Sequence, residues 1–169
     1  MQMNLSLTDE LCTKCGLCCD GSLLDDVELK NEQEAFGLEL MGLQIDRDDV
    51  PALPLPCTAL KGKRCSIYKN RPNTCRRFEC KLLQRANRGE VSIAEAKNTI
   101  TKTLKQSAIV KTICTKIEGK EGDRSLREVY HSTLENHDAK KDPQHVLYAK
   151  LTNEMDIMDV LVKKHFIDV

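Results

Sequence analysis

From residue 91 onward the apolar residues recur at helical spacing, and each run carries its own start and stop signals. Ser92-Ile93-Ala94-Glu95 has the form of a capping box, in which Ser and Glu satisfy free backbone donors. It predicts a helix to about Ile117, with Gly119 placed to end it. Ser125-Leu126-Arg127-Glu128 repeats the signal, and Leu126, Val129, Tyr130, Thr133 and Leu134 then follow at helical intervals. Asp142-Pro143 supplies an N-cap followed by proline at the first helical position. Leu147, Leu151, Met155, Met158 and Val162 form one apolar stripe behind it. Three helices with apolar faces to cover predict a small helical unit over residues 91–169, packed on whatever precedes it.

Residues 1–90 are less regular. Asn31-Glu32-Gln33-Glu34 predicts a short helix through Phe36 and Leu40, with Gly42 near its end. Pro51, Pro54 and Pro56 exclude a long helix before Cys57. The Lys61-Gly62-Lys63 tip predicts a short hairpin that brings Cys57 and Cys65 near one another. Arg71-Pro72 opens a short helix carrying Cys75, and another follows from about Lys81 to Arg88, stopped by Gly89. The expected fold is mainly α: an irregular, metal-stabilised cysteine-rich module with a short β-hairpin over 1–90, then the three-helix unit. Only about a quarter of residues 12–80 are large and apolar, so that module should depend on a metal for its fold.

Composition sharpens this picture at one point. The chain has 169 residues, nine cysteines, no tryptophan and only six aromatic residues, three Tyr and three Phe. Eight cysteines fall between residues 12 and 80; Cys114 stands alone. The first ten residues lack the basic flank and long apolar stretch of a secretory signal, so the expected compartment is the cytoplasm. In that reducing setting crowded cysteines point to metal rather than to disulfides. No apolar run has the ~18 residues of a membrane span.

Charge is balanced overall, at 26 basic and 26 acidic side chains, but it is unevenly spread. Residues 1–56 carry a net −9, residues 57–90 a net +8, and the remainder is nearly neutral. The basic stretch around Lys61, Lys63, Arg64, Arg71, Arg76 and Arg77 can offset the negative charge of metal-bound thiolates. With Tyr68 and Phe78 as its only aromatics it offers a thin stacking platform, which makes nucleic acid the weaker reading.

The first cysteine block is Cys12-x2-Cys15-x2-Cys18-Cys19. Two intervening residues let a tight turn aim two thiolates at one ion, and the three-cysteine run resembles the start of a ferredoxin-type ligand run. Adjacent side chains diverge, so Cys18 and Cys19 suit two metals, two irons of a cluster, or a ligand beside a free thiol. The second block, Cys57-x7-Cys65-x9-Cys75-x4-Cys80, matches no simple zinc finger. It either completes the first sphere or makes a second.

Cys12-Thr13-Lys14-Cys15-Gly16-Leu17-Cys18-Cys19 resembles the signature of the YkgJ-type CxxCxxCC proteins, described as zinc- or iron-chelating. Pro56-Cys57, Cys65-Ser66-Ile67-Tyr68 and Arg71-Pro72-Asn73-Thr74-Cys75 through Cys80 agree with it in order and character. The resemblance covers roughly residues 12–80. It implies metal or iron–sulfur binding by the eight clustered cysteines. A related cysteine-rich domain in flagellin lysine methylases extends the implication toward protein modification, but this chain shows no separate methyl-donor site.

The remaining candidates are plainer. Arg71 and Arg76 are placed to hydrogen-bond thiolates and tune a bound centre, to grip an anionic substrate, or to make structural ion pairs. Cys114 lies among Val110, Ile113 and Ile117 and reads as core. His131, His137, His145 and His165 show no metal-ligand spacing, and Tyr68 reads as a packing residue. No nucleophile triad, phosphate loop or dinucleotide fingerprint occurs, so no catalytic residue is singled out. Two functions follow. One is an iron–sulfur protein, a [4Fe-4S] cluster being favoured, serving electron transfer or a modification reaction with a protein redox partner. The other is a non-catalytic module with two zinc ions, each in a four-cysteine site, that scaffolds protein partners.

Overall fold

The structure, a computed structural model, describes residues 6–119, 124–135 and 145–168. The Asp142-Pro143 signal and His137 lie outside the described residues. Seven helices and two small two-stranded sheets make up the rest: mainly helical, with a short hairpin and C-terminal helices, as the patterning predicts.

The element that spacing alone does not reveal is α1, Leu7–Cys15. Ser6 caps it by accepting from the Asp9 N–H at 3.1 Å, Asp9 and Glu10 favour its first turn, and Gly16 at φ 74° ends it. The first two cysteines therefore sit one turn apart on a helix, not on a tight turn. A second unforeseen element is the sheet of β1, Asp26–Glu28, paired antiparallel with β2, Ala52–Pro54, with Val27 opposite Leu53. Its partners lie 26 residues apart, a pairing that local patterning does not carry.

Between them runs α2, Glu32–Leu40, capped by Asn31, whose side chain accepts from Glu34 N–H. The predicted hairpin is β3, Leu60–Lys61, with β4, Arg64–Cys65, turned by Gly62 at φ 64°. A single 3-10 turn, Tyr68–Asn70, leads to α3, Asn73–Arg77, and α4, Lys81–Asn87.

The long helix α5, Ile93–Glu118, carries the complete Ser92–Glu95 capping box and ends at Gly119. α6, Leu126–Glu135, starts on the reciprocal Ser125–Glu128 pair. α7, His145–His165, buries Leu151, Met155, Met158 and Val162 as expected, with Tyr148 buried beside a half-exposed Leu147.

Two apolar cores result. The larger gathers Val110, Ile113 and Cys114 of α5 with the α7 stripe and Phe166, and it also takes in Leu11, Leu17, Leu82 and Leu83. Residues before and after position 90 thus share one interior. The smaller contains Leu29, Ala35, Leu38, Leu43, Leu53 and Ala59. Among the described residues no helix is long and apolar enough to cross a membrane.

Candidate metal centre

All eight clustered cysteines line one cavity of about 410 Å³ between the two cores. The elements that place them are local. Cys12 and Cys15 occupy the last turns of α1. The chain reverses at Gly16, where Cys19 and Asp20 N–H both donate to Gly16 O at 2.9 Å, and this turn presents Cys18 and Cys19. Cys57 N–H donates to Cys19 O at 2.8 Å, tying the first block to the second. Cys65 stands on β4 opposite Leu60, Cys75 on α3, and Cys80 at the N-cap of α4.

Apart from the sequence neighbours Cys18 and Cys19, the thiols influence one another mainly within two groups of four. The Cys12, Cys15 and Cys18 thiols each feel Cys80, and Cys18 also feels Cys15, its neighbour Cys19 and Cys12. Cys19, by contrast, feels Cys75, Cys57 and Cys65, and Cys75 feels Cys57 and Cys65. The cores repeat the division. Cys12, Cys15, Cys18 and Cys80 pack against the larger core, whereas Cys57 and Cys65 pack against the smaller. The sequence expectation that Cys18 and Cys19 diverge thus has a definite form: one thiol joins each group.

Burial dominates the acidity of these thiols. It pushes Cys12 and Cys75 up to about 11, and Cys15 and Cys19 up to about 12, with neighbouring sulfurs adding to the shift. Cys18 rises well above its ordinary value for the same two reasons. Burial also raises Cys57 and Cys80, opposed by backbone N–H groups of Ala59 and Leu60 at Cys57 and of Leu83 and Leu82 at Cys80. A cation held by these thiols would displace their protons and offset the repulsion between the thiolates.

The donor set is eight sulfurs, with oxygen ligands no part of either group of four. That chemistry fits zinc or iron–sulfur and not calcium or magnesium, which require oxygen. Among the described residues no three Cys, His, Asp or Glu side chains close tightly enough to hold a single ion; the thiols stand around the cavity wall.

Arg71 lies where the two groups meet. Its guanidinium stacks 3.6 Å from the centroid of the Tyr68 ring, and its Nε donates to Tyr68 O at 3.0 Å. Its charge counters the rise of both Cys12 and Cys75. Arg76 also lines the cavity, but its Nε donates to Arg71 O and its Nη2 to Lys69 O, both at 2.7 Å, so it braces the loop that holds Arg71. Tyr68 does more than pack: its hydroxyl donates to Asp9 Oδ1 at 2.7 Å, fastening the hairpin's exit to α1. Sequence reasoning overlooks Asp9 because the helix bearing it goes unrecognised; Ser6, Asp9 and Gly16 are the signals for that helix.

Outside the cavity, Cys114 is fully buried on α5 and hydrogen-bonded to Thr133, a core position as expected. His131 meets the Tyr130 ring edge-on, and His165 Nδ1 is buried without a hydrogen-bond partner at the end of α7.

A cysteine-lined cavity set into a mainly helical fold is the arrangement of a metal-chelating protein. Residues 11–121 match the family model "CxxCxxCC: Putative zinc- or iron-chelating domain", and the chain belongs to that family. The match runs beyond the cysteines through α5, further than the residues 12–80 over which the motifs are legible. No curated protein and no solved structure matches the chain.

Proposed function

We propose that this protein holds two iron–sulfur centres and transfers electrons, with Cys12, Cys15, Cys18 and Cys80 as ligands of one and Cys19, Cys57, Cys65 and Cys75 of the other. The observation that carries the reading is the cavity. Its volume, about 410 Å³, lies in the range of cofactor pockets, and the eight thiols surround it instead of converging on points within it. The ligand pattern supports it too: three cysteines from a C-x2-C-x2-C run joined by a remote fourth, while the next cysteine of the run serves the other centre. Two-cluster ferredoxins use that logic.

When bound, such a cluster supplies reversible one-electron chemistry. The chain's own residues do the rest. Leu11, Leu17, Leu82 and Leu83 keep water from the first group of four, and Leu53 and Ala59 back the second. Arg71 offsets thiolate charge at the boundary between them.

The same division into fours also suits two closed zinc sites, which would make the protein a scaffold without an open coordination position. Iron, zinc and acid-labile sulfide analysis on protein purified without air separates the readings. Iron and sulfide in near-equal amounts with a broad visible absorption is the expected result. About two zincs per chain, colourless and without sulfide, would overturn it.

A further inference from the structure

We infer that the outer face of α2 is a docking surface for a partner protein that presents a basic amphipathic helix. Phe36 is 60% exposed, Leu40 74% and Met41 40%. They stand at i, i+4 and i+5, so they form one apolar stripe along the helix and its C-cap. The opposite side of the same helix buries Ala35 and Leu38 completely, so the stripe is not a misplaced core face. Large apolar groups that cluster in water on one helix, rather than singly, mark an interaction site.

Gly37 supplies an independent observation. Glycine is disfavoured inside a helix, and one is usually explained by a close neighbour or a left-handed backbone. Neither holds here: Gly37 lies mid-helix with ordinary φ, and a β-carbon at that position would meet nothing within 4 Å. The missing side chain leaves open space next to Phe36. Among the described residues nothing fills that space.

Charge identifies the occupant. Residues 31–50 carry six acidic side chains against one basic, Arg47. Arg47 is already engaged with Glu32 and Glu39 of α2, and among the described residues no ion pair neutralises its neighbours Asp46, Asp48 and Asp49. An apolar stripe with an acidic border is complementary to a helix with apolar anchors on one side and Lys or Arg beside them. Among the other exposed apolar residues, Val146, Ile157 and Val160 on α7 lie among mixed charges and have no such border.

The position gives docking a consequence. The inner face of α2 covers the small core against which Cys57 and Cys65 pack, and Glu34 accepts from the Asn73 N–H of α3, the helix of Cys75. A partner on α2 is thus separated from the second group of four by that helix and the small core beneath it. Its use for electron delivery rests on the reading above; the docking itself does not depend on which metal the cysteines hold.

The test uses the full metal-loaded chain and a fluorescent 20-residue peptide with leucines at i, i+3, i+4 and i+7 and lysines elsewhere. A scrambled peptide of the same composition is the control. Anisotropy should show the patterned peptide binding at least tenfold more tightly than the scrambled one. Leu40→Glu and Gly37→Leu should each weaken it tenfold or more. Gly37→Leu should meanwhile raise or preserve the unfolding midpoint, which separates loss of docking from loss of fold. Equal binding of both peptides, or unchanged affinity in both variants, would overturn the proposal. So would sedimentation showing a dimer that Leu40→Glu abolishes, since the occupant would then be a second copy of the chain. Finding zinc in place of iron would defeat the electron-transfer reading and leave these expectations intact.

Discussion

Gly21 and Ser125 meet backbone to backbone, 104 residues apart in sequence: a β-carbon on Gly21 would lie 2.8 Å from the Ser125 Cα. Leu126 N–H donates to Gly21 O at 2.7 Å, and the Ser125 hydroxyl bonds to Asp25. Ser22 and Ser107 share a buried hydroxyl pair at 2.7 Å next to it. The loop that leaves Cys18 and Cys19 is thereby fastened to both α5 and α6. Order at the cysteines and docking of the helical elements are two aspects of one packed arrangement.

Gly21→Ala tests that contact. The residue has φ 70°, where alanine is strained, and its new methyl group would strike backbone and not a flexible side chain. The expected loss is about 2–4 kcal/mol in chemical denaturation. Gly62→Ala, also at positive φ but with open space around it, should lose only about 1 kcal/mol.

Substitutions in the two groups of four should separate. Cys80→Ser and Cys15→Ser should each remove one centre's share of metal, about half the total, and leave the other. Cys75→Ser should remove the complementary half. Cys15→Ser should also make residues 12–80 more open to limited proteolysis. Cys114→Ser should leave metal content unchanged and cost about 1 kcal/mol or less, since Thr133 remains a hydrogen-bond partner for the hydroxyl. Metal analysis of each variant checks the division; if Cys80→Ser and Cys75→Ser lose the same species, the grouping is wrong.

The pH dependence of the metal-free, reduced chain has a definite sign. Thiols near 9 when unfolded are raised to about 11 for Cys12 and Cys75 and about 12 for Cys15 and Cys19. Between these values the folded chain holds more protons than the unfolded one. Stability is therefore complete below about pH 9 and is lost as pH rises toward 12. Metal binding runs the other way: each thiol that becomes a ligand releases a proton, so affinity near neutral pH should rise about tenfold per pH unit per proton released. Denaturation and metal titration, each at several pH values, check the two signs.

On the proposed iron–sulfur reading, Arg71 should tune both centres at once. Removing its charge with Arg71→Gln leaves the thiolate surroundings more negative and disfavours the reduced state, so both potentials should fall, by roughly tens of millivolts for an interaction of order 1 kcal/mol. Arg71→Lys should retain most of the potential while losing the stacking on Tyr68. A redox titration of the iron-loaded protein that moves only one centre would count against a shared position.

Much of the fold is legible because its signals close locally. Ser92, Glu95 and Gly119 bound α5 through bonds made within one turn, and Gly62 and Pro72 set the hairpin and the start of α3 in the same way. The sheet of β1 and β2 is not legible, because three-residue strands have too little periodicity to announce themselves. Helix α1 carries readable caps at Ser6 and Gly16, but its cysteine spacing draws attention to ligation before helicity.

The site divides along the same line. Spacing and chemistry by themselves point to the clustered sulfurs as donors for a soft metal, and to Cys18 and Cys19, being neighbours, turning apart. Which distant cysteine joins which group is decided only by packing. Cys80 reaches Cys12, Cys15 and Cys18 because Leu82 and Leu83 just beyond it are buried in the larger core with Leu11 and Leu17. Cys57 and Cys65 fall to the other side because they pack against the smaller core under α2. The residues between two partners do not encode such a meeting; the apolar surfaces that bury them do.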